Sequence, residues 1–121
     1  MQVQRAETLV RLGYPAVASV LPDIIGWMKD LNWPVAQVFQ PFLAKIGEPL
    51  APFIRDVLSG TDDIWKFWLV TSVVRESPSL AAALRPELQR IADSPSIGEQ
   101  SEGVSQVARE LLRSPAATGD A

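Results

Sequence analysis

Apolar residues return along this chain at helical spacing. Val17, Val20, Leu21, Ile24, Ile25 and Met28 recur at offsets of 3, 4, 7, 8 and 11 residues, which lines them along one face of a 3.6-residue helix. Val35, Val38, Phe39, Phe42, Leu43 and Ile46 repeat the pattern, and Leu50, Phe53, Ile54, Val57 and Leu58 repeat it over a shorter run. Leu80, Leu84, Leu88 and Ile91 follow more sparsely, then Val104, Val107, Ala108, Leu111 and Leu112. Residues 62–76 are apolar on most sides, as expected of a helix held between neighbours. No Asn-Gly or Asp-Gly turn and no sustained polar–apolar alternation argues for strands.

The punctuation fits this parsing. Asn32 is placed to cap a helix whose first turn holds Pro34, where a missing N–H does no harm. Gly47 stands where that helix wants a left-handed residue. Ser59 and Gly60 end the next helix, and Thr61 or Asp62 is placed to cap the one after. Ser94, Pro95 and Ser96 make a further break. Residues 1–114 read as one domain, and 115–121 as a small, polar, flexible tail.

The phrases PDIIGWMKD, PFIRDVLSG and PELQRIADS open at Pro22, Pro52 and Pro86, 30 and 34 residues apart. Each is followed by a polar link and a second helix. This predicts three two-helix units, with a leading helix near Gln4 to Leu12 as a cap. A lone helix pair cannot bury its apolar face, so the units are expected to stack as a right-handed α-α superhelix. Each proline is expected to kink the first helix of its unit by deleting an i→i−4 bond.

Composition narrows the chemistry. The 121 residues include no Cys and no His, which removes disulfides, thiolate nucleophiles, imidazole bases and Cys- or His-ligated metals. The lack of Cys fits a reducing, cytoplasmic location. Eleven Lys+Arg against fourteen Asp+Glu give a formal charge of −3, a poor match for a nucleic-acid partner. The longest apolar run, Ile64 to Val74, is interrupted by Lys66 and falls short of the ~20 residues a membrane span needs. The N-terminal MQVQRAETLV reads as neither a signal peptide nor a membrane anchor. Residues 48–60 lack the basic face of a membrane-surface helix. No P-loop, GxGxxG, HExxH, GxSxG or EF-hand loop occurs.

The first unit, Val20 to Gly47, resembles a HEAT repeat. Pro22 stands at the position of that repeat's outer-helix proline, Asp30 at its turn Asp, Val35 at its inner-helix Val and Gly47 at its closing Gly; Ala36 replaces its Arg. In the second unit Asp62 or Asp63 takes the turn and Lys66 the basic position, while the third places Gly98 and Glu99 in the turn. Over about Leu9 to Leu112, the phrases WMKDLNWPVA and DDIWKFW resemble a small bacterial family catalogued only as a domain of unknown function. The resemblance implies a HEAT-like all-α fold and no particular activity. The Lys/Asp-rich start usual in that family is missing here.

Four tryptophans in a short chain, Trp27, Trp33, Trp65 and Trp68, are either spacers between units or anchors for a partner. Asp30, Asp62 and Asp63 are expected to cap helices; a cation-binding cluster is the alternative. Lys66 is expected to pair with Asp30 or Asp62 or to reach the surface along its stem. Glu99, Glu102 and Glu110 read as the solvated face of the last helix.

The expectation is a non-catalytic module that binds a protein or peptide and uses no cofactor or metal. Its docking face is predicted to hold Trp33, Gln37, Gln40, Lys45, Lys66, Thr71 and Arg75. A structural homo-oligomer and a carboxylate- or metal-dependent enzyme are the other readings.

Overall fold

The computed structural model describes residues 1–113. The expected 115–121 tail, with Ser114, lies outside the described residues. Among the described residues every regular element is helical and no strand occurs.

The chain opens with α1 (Val3–Leu12) and continues with α2 (Leu21–Gly26), α3 (Pro34–Ile46), α4 (Ala51–Leu58) and α5 (Asp63–Leu69). The last of these runs into a π-helical segment, Val70–Val74. Then come α6 (Pro78–Ala83), α7 (Arg85–Asp93), α8 (Ile97–Ser101) and α9 (Val104–Arg113). Short 3-10 turns at Ala18–Val20, Trp27–Lys29 and Glu48–Leu50 extend α2 and α4.

The three repeat prolines do not lie in helix interiors. Pro22, Pro52 and Pro86 are each the second residue of α2, α4 and α7. There the ring costs no hydrogen bond, because first-turn N–H groups have no intrahelical partner. The turns Ala18–Val20 and Glu48–Leu50 and the helix α6 come just before, so the proline starts a new helix and does not bend an old one. Pro41 is the interior proline, on the exposed side of α3.

Two other departures are local. The helix predicted to close the chain is divided: α8 and α9 meet at Gly103, whose φ of +81° favours glycine. The run VTSVV leaves α geometry, with Arg75 N–H donating to Val70 O at 3.0 Å. Three of its residues besides Thr71 and Ser72 are valines, poor at holding α geometry. The Thr71 hydroxyl donates to Phe67 O at 2.7 Å, and the Ser72 hydroxyl donates to Trp68 O. These side chains compete for carbonyls that the regular ladder would use. Gly47 ends α3 at φ +71°, and a Cβ there would crowd the Ser77 and Ser79 hydroxyls at 3.1 and 3.0 Å.

Contacts run in two rows. The second helices touch in the order α1, α3, α5 with Val70–Val74, and α9. In the other row α2 meets α4, and the Glu48–Leu50 turn meets α6. Arg55 on α4 pairs with Glu87 on α7 at 2.5 Å. The two rows enclose one core in which Phe39, Leu43, Ile54, Leu69, Val73, Leu84 and Leu88 are completely buried. The α7–α9 contact is the most extensive and seals the C-terminal end.

Candidate functional site

Among the described residues, polar chemistry gathers at two places of particular interest. The first is an ion network under a cleft of about 580 Å³ between the Ser59–Thr61 loop and the start of α8. Glu99 lies at its floor, 0% exposed. Its carboxylate accepts from Arg90 Nη1 at 2.6 Å and Nη2 at 2.7 Å, from Lys66 Nζ at 3.0 Å and from Ser96 N–H at 2.8 Å. The Ser96 hydroxyl accepts the Glu99 N–H at 3.1 Å, completing a capping box at α8. Lys66, 3% exposed, also lies 2.9 Å from Asp63 Oδ1, one turn back on α5. The angle there is too poor for a directed hydrogen bond, so this contact is Coulombic. Arg90 Nη2 reaches Leu58 O at 3.2 Å, tying α7 to the end of α4.

Two cations and two carboxylates make the network neutral. Burial pushes the Glu99 carboxyl up, but the Arg90 hydrogen bond, the Ser96 N–H and Lys66 together outweigh it and hold it at about 2. Arg90 is held above its usual range, first by its hydrogen bond to Glu99 and against some desolvation. With every charge matched, the arrangement is suited to fastening α5, α7 and α8 together.

This corrects two expectations. Lys66 is not on a docking face, and its partners are Asp63 and Glu99, not Asp30 or Asp62. Glu99 is not on a solvated face. Two signals were present in the sequence. The spacing Ser96-x-x-Glu99 is a capping box, and a lysine within an apolar run calls for a buried counter-ion.

The second place is a groove of about 300 Å³ lined by Leu31, Asn32, Gln37, Gln40 and Trp68. It joins the link before α3, the face of α3 and the neighbouring α5. Trp33, 40% exposed, precedes Pro34 beside it and meets Trp27 edge-on, with centroids 5.8 Å apart. Of the predicted docking residues, Gln37 and Gln40 therefore line one groove, with Trp33 beside them in the chain. Gln40 Nε2 donates to Ser72 O at 2.6 Å and so satisfies a carbonyl near the end of the π segment.

The remaining predicted residues lie elsewhere. Lys45 lines a separate pocket with Val10, Val38, Pro41 and Phe42, on the side of α3 that meets α1. Thr71 is half-buried and its hydroxyl is committed to Phe67 O. Arg75 is exposed and pairs with Glu110 at 3.2 Å.

The turn carboxylates are separate too. Asp62 caps α5 by accepting the Trp65 N–H at 3.1 Å. Asp30 accepts the Asn32 N–H at 2.9 Å and closes a turn. Asn32 is not the cap of α3: that position belongs to Trp33, which offers no side-chain acceptor, because the Asp30 turn shifts the helix start by one residue. Among the described residues no three acidic side chains gather as a metal would require.

Trp65 bridges α5 to α2, and Trp68 packs against its chain neighbour. Trp65 Nε1 donates to Ile25 O at 3.0 Å, and Lys29 Nζ lies 4.7 Å from its ring centroid. Trp68 meets Phe67 edge-on at 5.4 Å.

A family model described as Domain of unknown function (DUF5071) matches residues 2–112. The chain belongs to that family. No curated protein and no solved structure matches it. The ion network and the groove both fall within the matched DUF5071 segment. No described helix of this DUF5071 chain is long and apolar enough to cross a membrane.

Proposed function

We propose that this DUF5071 chain is a non-catalytic binding module, built as a HEAT-like superhelix of helix pairs, that docks a segment of another protein in the Leu31–Trp68 groove. The serial order of contacts in both rows supports the HEAT-like reading. The observation that carries the docking reading is the groove itself: amide side chains and an indole from two successive helix pairs line one concavity, with the exposed Trp33 beside it. The cleft beside α8 is floored by charges that already neutralise one another.

A displayed random-peptide library tests this. Selection against the full chain is expected to return binders that lose at least tenfold in affinity on Trp33→Ala or Gln37→Ala, both exposed positions, with the melting temperature unchanged. A library that returns no binder, or only binders indifferent to both substitutions, refutes the reading.

A second reading, self-association, has one observation in its favour. Leu12 and Tyr14 are 62% and 43% exposed at the end of the α1 side of the molecule. Light scattering that finds a dimer lost on Leu12→Glu supports it; a monomer at high concentration removes it.

A further inference from the structure

The hydrogen-bonding groups of the groove are one-sided. Gln37 Nε2 donates to Leu31 O at 3.3 Å, and Gln40 Nε2 donates to Ser72 O at 2.6 Å. A backbone carbonyl only accepts, so each amide turns its nitrogen toward the protein and leaves its oxygen over. Among the described residues, neither oxygen receives a donor. The two glutamines are three residues apart on α3, which puts their Cβ atoms about 5–6 Å apart on one face.

Among the described residues no charged side chain lines the groove. Asp30, next to Leu31 in the chain, carries a carboxylate. Lys29 is held over the Trp65 ring, and Lys66 is buried beside Glu99. Neither of these two lysines therefore competes for the two amide oxygens.

The occupant must supply donors. A purely apolar side chain would bury two carbonyl oxygens without partners, the costly case for a polar group. An anion would face two acceptors. A peptide main chain brings one acceptor for every donor. A guanidinium has five N–H donors and no acceptor, spreads them in a fork, and stacks on indole.

We propose that the groove takes an arginine side chain of a partner peptide, its guanidinium against Trp68 and its N–H groups donating to Gln37 Oε1 and Gln40 Oε1. This rests on the peptide-docking reading above and names the group that is recognised. Lysine fits less well: its ammonium is a compact, strongly hydrated charge and cannot fork between two oxygens one helical turn apart.

The test is a nitrogen–proton NMR titration of the full chain with acetyl-Gly-Arg-Gly-amide and its lysine and citrulline counterparts. The readouts are the Trp68 indole N–H, identified by its loss in Trp68→Phe, and the side-chain amides of Gln37 and Gln40. The arginine peptide is expected to shift these signals into the millimolar range and to bind at least tenfold more tightly than either counterpart. Gln37→Leu is expected to weaken it about tenfold without changing the melting temperature. Gln40 is left intact because its bond to Ser72 O is short and part-buried, whereas that of Gln37 to Leu31 O is exposed and 3.3 Å long. Equal binding of the citrulline or lysine peptide overturns the proposal, as does an arginine peptide that shifts none of these signals. The peptide library separates the two levels. Groove binders without arginine sink this inference alone, and an absence of binders sinks the reading beneath it.

Discussion

Replacing Glu99 by glutamine separates charge from shape. Glutamine keeps the side-chain length and can still serve the capping box at α8, so the helix start survives. What is lost is the negative charge between Arg90 and Lys66. Lys66 is then left 3% exposed with only the poorly directed Asp63 contact. Two routes give the magnitude. Removing one partner of a buried ion pair typically costs about 3–5 kcal/mol. The same ion pair holds the Glu99 carboxyl at about 2 against an ordinary 4.5. At about 1.36 kcal/mol per pH unit, that gap corresponds to about 3 kcal/mol of coupling to the fold.

The sign follows from the direction of the shift. The folded value is lower than the unfolded one, so the stabilisation is complete above pH 4.5 and is lost as pH falls toward 2. Urea unfolding, followed by tryptophan fluorescence from pH 7 to pH 2, measures it. Glu99→Gln is expected to cost about 3 kcal/mol at pH 7. The gap between variant and wild type is expected to narrow steadily below pH 4.5, because wild-type Glu99 loses its own charge there. A loss under about 1 kcal/mol at pH 7, or a gap of the same size at pH 2 and pH 7, would refute the reasoning.

Three further substitutions probe the frame. A Cβ at Gly98 would collide with the Asp63 carboxylate, so Gly98→Ala is expected to destabilise by about 1–3 kcal/mol; calorimetry should show part of that loss recovered in the double variant with Asp63→Ser. Asp62→Ala removes the cap on Trp65 N–H and should cost about 0.5–2 kcal/mol in urea unfolding, with Asp62→Asn retaining most of the stability. Trp65→Phe deletes the donor to Ile25 O and weakens the ring contact with Lys29. It is expected to cost about 1–3 kcal/mol, and faster hydrogen exchange should appear near Ile25.

Helical class, the position of most helices and a cap at Thr61 or Asp62 were legible in the sequence because they are short-range. The 3.6-residue spacing of Val35, Val38, Phe39, Phe42 and Leu43 marks the buried side of α3 whatever lies against it. Asp62 reaches Trp65 N–H three residues on. The mechanical role of Pro22, Pro52 and Pro86 is not legible, since a proline at the second position of a helix and one in its interior look alike until the helix start is known. Half of the candidate groove was also readable. Gln37 and Gln40 share a face of α3 by spacing alone, but Trp68 joins them only because α3 and α5 belong to adjacent pairs.

The sequence by itself determined that this chain is helical, where most of its helices turn inward, and which chemistries it lacks, because propensity, periodicity and composition act within a few residues or not through geometry at all. The tertiary structure decided who meets whom. Lys66 finds Glu99 across 33 residues and Gln40 finds Ser72 O across 32, distances at which sequence spacing carries no direction. Those pairings are fixed by how the helices pack against one another, and burial then turns an ordinary surface-looking glutamate into the centre of an ion network.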